Sequence, residues 1–234
     1  IYTFWYLSKY TKITINFAQI FNLKKIKNIF NINLNIFIRT ILLTFSFLWF
    51  TYLGTQIGEN YVAANAILIN LVFLSAFILD AYAFSTEGIV GYSLGKKDLN
   101  LFKNIVKNSF ILSSISGLII SIIFFFTNNL VINLMSDINE IRELSSSYAV
   151  WLIILPVISS FCYQFDGIFI GASQTKELRN AMIFSVFSYL LISILLIKFL
   201  FNTGIWISLC IFMILRAVSL FYYLDKIYLR FRKN

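Results

Sequence analysis

The chain has 234 residues, 59% of them hydrophobic and only 12% charged, with a mean hydropathy of +0.83. Soluble domains carry about 25% charged residues, so this composition excludes a water-soluble globular protein and reads as an integral membrane protein. The net charge of +9 does not point to nucleic acid, because the basic residues stand in short clusters between long apolar runs and serve topology instead.

In chain order, "IYTFWYLSKYTK" from Ile1 reads as the apolar end of an earlier membrane helix leaving toward the cytoplasm. It begins without methionine and lacks the basic start, apolar core and cleavage site of a signal peptide, so a truncated chain is expected. Residues from about Thr11 to Asn33, rich in Asn and Lys, are expected to form a cytoplasmic linker. Six apolar runs follow: Leu34 to Gly54, Tyr61 to Phe84, Ile105 to Phe126, Tyr148 to Gly171, Ala181 to Phe201 and Gly204 to Leu224. At about 1.5 Å per residue, some 20 residues cross a hydrocarbon core of roughly 30 Å. These runs are about twice as long as a barrel strand needs and show no strict alternation, which makes them helices. The expected organisation is therefore all-α: residues 1–33 as helix end and linker, 34–224 as a six-helix transmembrane lobe, and 225–234 as a basic cytoplasmic tail.

The connections order the topology. Lys24, Lys25 and Lys27 precede the first run, Lys96, Lys97, Lys103 and Lys107 follow the second, Lys176 and Arg179 the fourth, and Lys226, Arg230, Arg232 and Lys233 the sixth. The alternate connections are poor in Lys and Arg, so the positive-inside rule puts both ends of this segment in the cytoplasm, multi-pass in a bacterial cytoplasmic (inner) membrane.

The chain contains no histidine, and Cys162 and Cys210 lie in different spans, so no metal site, cofactor or Cys/His chemistry is expected. Ion handling falls to carboxylates. Asp80 and Asp166 lie inside apolar runs, where a charge costs about 2.5–3.5 kcal/mol on insertion scales and usually faces a bundle interior. Glu87, seven residues after Asp80, shares its helical face. Depth alone favours an interior role for Asp80, a solvated helix end for Asp166, and neither for Glu87. Arg216, deep in the last run, is the expected ion-pair partner of Asp80 or Asp166, whereas Arg39, near the start of its run, is either interfacial or paired with a carboxylate, with snorkelling to headgroups the favoured reading. Gly167 and Gly171, and Gly91 and Gly95, form two G-x-x-x-G helix-contact patterns. Pro156 is expected to kink the fourth helix. Trp5, Trp49, Trp151 and Trp206 lie near helix ends and read as an interfacial belt.

The run from Ile36 to Asp98, with Arg39-Thr40, the "AANA" of Ala63 to Ala66, the Asp80–Glu87 pair and Val90-Gly91, together with "DGIFIGASQTKELRNAM" from Asp166, resembles the multidrug and toxic compound extrusion (MATE) transporters, and among them the DinF-like branch. Ala81 stands where that branch usually has glycine. The resemblance implies the C-terminal half of a two-lobed, twelve-helix antiporter that exports small organic cations or amphipathic compounds against a proton or sodium gradient by alternating access. It implies an N-terminal lobe and membrane lipid as partners, and places the best-supported proton-coupling aspartate of DinF-like members in that other lobe. With Pro156 and the Gly167–Gly171 pair beside it, Asp166 becomes an inward-facing position with a structural or gating role. The alternatives are a lipid or oligosaccharide flippase of the same superfamily, favoured by a cavity lined with basic residues, and a transport-incompetent fragment. An enzyme is not expected, since the G-x-G-D motif of intramembrane aspartyl proteases is absent.

Overall fold

The computed structural model describes residues 22–232, which contain helices and no strand. Hydrocarbon offers no partner to backbone amides and carbonyls, so a chain this apolar closes its hydrogen bonds within each helix. The elements are α1 (Leu23–Thr55), α2 (Glu59–Gly95), α3 (Leu99–Met135), α4 (Asn139–Tyr148), α5 (Val150–Gly171) and α6 (Thr175–Arg232). The chain divides into two compact units between Leu34 and Asn35. The described part of the first is the opening of α1, and the second contains everything that follows.

Among the described residues, five helices are long and apolar enough to cross a membrane, and the last candidate covers 55 residues, Thr175–Leu229. At about 1.5 Å per residue that length far exceeds a bilayer of roughly 30 Å. The excess is resolved at Phe201, whose φ of 48° and ψ of −130° are not helical. There the chain turns back on itself: a Cβ on Gly204 would stand 2.5 Å from the carbonyl oxygen of Leu196, eight residues earlier. Eight residues of straight helix would separate those positions by about 12 Å. Thus α6 is two antiparallel limbs, residues 175–200 and 202–232, and the described residues form six spans.

Two sequence boundaries shift. Leu23 to Asn33, expected as part of a linker, begins α1, and residues 225–232, expected as a tail, continue α6. The Lys and Asn residues that argued for linker and tail are compatible with an exposed helical turn, so polarity marked the end of the apolar run and not of the helix. The expectations for Ile1 to Phe21 and for the last two residues lie outside the described residues.

The spans are joined by compact turns. After both α2 and α5 the backbone closes a Schellman motif. Asp98 N–H donates to the Ser93 carbonyl and Lys97 N–H to Leu94, while Gln174 N–H donates to Phe169 and Ser173 N–H to Ile170. Lys97 and Ser173 occupy the left-handed position, at φ 57° and 53°. Asp98 then caps α3, its Oδ1 accepting from Leu101 N–H at 2.9 Å.

The central element is α5, which packs against α2, α3 and α6. Pro156 lies within it, fully packed, and Ser121 of α3 donates 2.6 Å to the carbonyl of Ile153 one turn earlier. A Cβ on Gly117 of α3 would come 2.9 Å from the Pro156 carbonyl, so α3 meets α5 closely at the proline. Toward the α6 turn lies a buried polar knot: Asn65 and Asn202 exchange amide hydrogen bonds of 2.6 and 3.1 Å, and Trp206 Nε1 donates to Asn65 Oδ1 at 2.9 Å. Trp206 is 0% exposed. This corrects the belt reading for that residue: its indole is a core side chain whose N–H has a buried acceptor. Trp49 and Trp151 are half-buried; Trp49 donates to Ser193 Oγ at 2.9 Å and Trp151 stacks on Trp206. Trp5 lies outside the described residues.

Candidate functional site

The site forms where α1, α2 and α5 face one another. The contact between α2 and α5 is set by the glycines of α5. A Cβ on Gly167 would stand 2.3 Å from the Ala83 carbonyl, and one on Gly171 would stand 2.4 Å from the Glu87 carbonyl. Only bare backbone allows the helices this close, and the four-residue spacing repeats the contact one turn on. The second glycine pair behaves differently: a Cβ on Gly91 would meet the Gly171 carbonyl at an ordinary 3.5 Å, and one on Gly95 would meet nothing within 4 Å. No close helix approach exists at Gly95. Beside the first pair, Thr86 Oγ1 donates to Gln164 Oε1 at 3.0 Å in a buried hydrogen bond between α2 and α5.

Asp166, one residue before Gly167, is 5% exposed. Its Oδ2 accepts from Arg216 Nη2 at 2.7 Å and from Arg39 Nη2. Arg216, in the second limb of α6, is 1% exposed; its Nη1 contacts Met213 Sδ at 3.4 Å and its guanidinium stands 5.4 Å from the centre of the Phe212 ring. The aspartate therefore ties α5 simultaneously to α1 and α6. Arg39 has a side-chain exposure of 15%, which replaces the snorkelling expectation: it turns inward because a buried carboxylate lies within reach. Both guanidinium groups converge on one oxygen, leaving Asp166 Oδ1, Arg39 Nε and Arg216 Nε buried without hydrogen-bond partners.

Asp80 is placed differently. It is half-buried and makes no ion pair within 4 Å among the described residues. Glu87, also half-buried, is likewise outside every ion pair there. Both carboxylates, with Arg39 and Asp166, line an open cavity of about 240 Å³. Phe47, Phe73, Phe77 and Phe84 are among its other lining residues, and Phe77 and Phe84 are 73% and 70% exposed. The wall carries three carboxylates against one guanidinium. Even with Arg216 counted behind it, three negative charges face two positive ones.

The basic end of the bundle holds α1 to α6 by polar contacts as well. Arg179 Nη1 donates to Asn35 Oδ1 at 2.9 Å and Asn35 Nδ2 reaches Thr175 Oγ1 at 3.4 Å, while Lys226 of the second α6 limb pairs with Glu177 of the first at 3.0 Å. Sequence reasoning assigned Arg179 and Lys226 to topology alone. It also missed Thr86 and Gln164, and Asn65 and Asn202, whose signal was a polar side chain inside, or at the turn of, an apolar run.

The residues match known proteins as follows. The family model described as MatE covers residues 36–199. DNA damage-inducible protein F of Escherichia coli (strain K12) is 32% identical over 189 residues, 81% of this chain and 41% of that protein. Among solved structures, the Vibrio cholerae MATE transporter VcmN in its bent form superposes with a TM-score of 0.79 at 18% identity, covering 92% of this chain and 49% of that one. A MOP superfamily transporter from Pyrococcus furiosus, described as having a binding pocket of reverse polarity, gives 0.76 at 21% identity over 85% of this chain and 44% of its own. The chain thus spans about half the length of the proteins it matches.

Proposed function

Since the chain belongs to the MatE family, we propose that it forms the C-terminal lobe of a two-lobed secondary antiporter that exports small organic cations from the cytoplasm by alternating access. A proton or sodium gradient drives it, with both ends of this segment in the cytoplasm of a bacterial inner membrane. The observation that carries this reading is the cavity wall, where unpaired Asp80 and Glu87 stand among four phenylalanine rings. Carboxylates supply charge complementarity to a cation, and aromatic faces attract it by cation–π contact. The volume of about 240 Å³ is below the roughly 300–1,000 Å³ of small-molecule pockets. One wall therefore holds part of a drug-sized molecule, and the second lobe supplies the rest.

The three acidic groups have separate roles in this proposal. Asp166, engaged by two arginines, latches α1 and α6 to α5, while Asp80 and Glu87 meet the substrate. A flippase for anionic headgroups would present basic groups to the cavity, and among the described residues Arg39 is the one cation on this wall. Coupling to the ion gradient is assigned to the other lobe.

The test is efflux of a fluorescent dye cation by the full-length protein in inside-out vesicles. Asp80→Asn is expected to lower transport of a monovalent cation by about tenfold or more, as loss of a charge partner of about 1.4 kcal/mol implies, while protein level and fold are retained. Transport at the wild-type rate by Asp80→Asn would refute the assignment of Asp80 to substrate.

A further inference from the structure

The face of α5 opposite the polar cavity carries a second concavity. Tyr163, Gly167 and Ile170 face the cavity, and at about 100° per residue Phe161 and Phe165 lie roughly half a turn round the helix from them. These two rings floor a groove of about 480 Å³, walled by Val106 and Phe110 of α3 and by Val218 and Phe221 of α6. Every side chain lining it is apolar. Its basic end is closed by an aromatic clasp, in which the Phe102 ring of α3 meets Tyr228 at 5.4 Å and Phe231 at 5.2 Å on α6. Away from that clasp, Phe161, Val218 and Phe221 are 43%, 44% and 62% exposed, so the groove is open along its length.

The rim of the groove is charged. Lys103 and Lys107, one helical turn apart on α3, are both exposed. At about 100° per residue they lie roughly 20° and 60° round the helix from Phe110, on the groove's edge. Asp225, one turn beyond Phe221 on α6, is exposed on the opposite side, and Asp98 is engaged in capping α3. Lys96, Lys97, Lys103 and Lys107 outnumber Asp98 and Asp225 by four to two, a local charge of +2. Lys226 and Glu177 neutralise one another at 3.0 Å.

We propose that this groove binds one anionic glycerophospholipid, an acyl chain lying on Phe161 and Phe165 and the phosphate held at the rim by Lys103 and Lys107. The chemistry matches in both parts. A fully apolar channel takes an acyl chain without stranding a polar group, whereas a peptide strand or loop would leave its backbone unsatisfied there. Lysines near the end of a span extend their ammonium groups to headgroup level, where anionic lipid phosphates lie. Because the groove and the cavity share α5 as their common wall, the bound lipid braces the helix that carries Asp166.

The test uses the full-length protein purified in detergent, incubated with phosphatidylglycerol or phosphatidylcholine of the same acyl chains and read by native mass spectrometry. Wild type is expected to retain phosphatidylglycerol over phosphatidylcholine. Two lysines near a membrane surface correspond to an affinity ratio of up to about thirtyfold, so K103Q/K107Q should reduce that preference by about that factor, with K96Q/K97Q leaving it largely intact. Val218→Trp, which fills the channel from an exposed position without altering charge, should abolish the retained lipid of either headgroup. Retention unchanged in K103Q/K107Q, an equal loss in K96Q/K97Q, or undiminished retention in Val218→Trp would each overturn the proposal. The first removes the phosphate contact, the second reduces the effect to general surface charge, and the third removes the groove.

Discussion

Asp166→Asn isolates the electrostatic latch. The substitution preserves the shape of the side chain and removes its charge, leaving Arg216 at 1% and Arg39 at 15% side-chain exposure beside a neutral amide. Removing one partner of a buried ion pair costs about 3–5 kcal/mol, because the remaining charge stays desolvated without compensation. Most of that cost falls on Arg216, since Arg39 borders the open cavity and can reach water there. The expected loss for Asp166→Asn is therefore about 3–5 kcal/mol. It is measured by reversible unfolding of the full-length protein in mixed micelles with increasing dodecyl sulfate, followed by tryptophan fluorescence.

The double variant Asp166→Asn/Arg216→Met supplies the decisive comparison. Replacing a whole buried pair by neutral groups of similar volume is often close to neutral. The double variant should then recover most of the lost stability, giving a favourable coupling of about 2–3 kcal/mol in the cycle. A single-variant cost below about 1 kcal/mol, or effects of the two substitutions that simply add, would refute the latch. Asp80→Asn is the internal contrast: with no ion pair to break, it is expected to change transport and leave unfolding nearly unaltered.

Three further substitutions test the packing and turns that position the site. Gly167→Ala drives a methyl to 2.3 Å from the Ala83 carbonyl and must push α2 from α5, costing about 1–3 kcal/mol in the same unfolding assay, whereas Gly95→Ala meets nothing within 4 Å and should be neutral or stabilising by up to about 1 kcal/mol. Equal effects of the two would show that the tight α2–α5 contact is not what the first glycine provides. Ser173→Gly relieves a left-handed residue at φ 53° in the α5–α6 turn and should raise stability by about 0.5–1 kcal/mol; a decrease would mean that the serine side chain contributes something beyond the turn.

The spans were legible in the sequence because hydrocarbon imposes a length of apolar helix, and length survives without knowledge of neighbours. Direction was not legible. α2 and α5 are apolar nearly all round, so periodicity does not say which side faces lipid and which faces another helix. Depth along the chain therefore stood in for direction; besides the solvated end it gave the buried Asp166, it misplaced two residues. Arg39, six residues after Asn33, reads as shallow enough to snorkel, yet its guanidinium turns to Asp166. Trp206, two residues after Gly204, reads as interfacial, yet it is fully packed against Asn65. In both cases the deciding partner lies more than a hundred residues away, where no local signal reaches it. Asp166 itself was legible as an exception to its surroundings. Its assignment needed the glycine one residue on, whose only sense is a neighbouring backbone.

Three properties of α5 together explain why its middle turns carry the site. The glycine pair brings the backbone of α2 within reach, so Asp80 and Glu87 are fixed in register with Asp166. The charge of Asp166 recruits a guanidinium from each of two other helices, so α1 and the second limb of α6 are held by an interaction that weakens as soon as water or a cation competes for the carboxylate. Pro156, ten residues earlier, removes one backbone hydrogen bond from the same helix, and hydroxyls of α3 and α5 take up nearby carbonyls: Ser121 donates to Ile153 and Ser159 to Leu155. Rigid registration to α2, a charge-controlled tie to α1 and α6, and a softened segment upstream are what a helix needs if occupancy of the cavity is to change how it leans on its neighbours. In the proposed antiporter, a cation entering beside Asp80 would add positive charge next to Arg39 and so weaken the hold of Asp166 on α1.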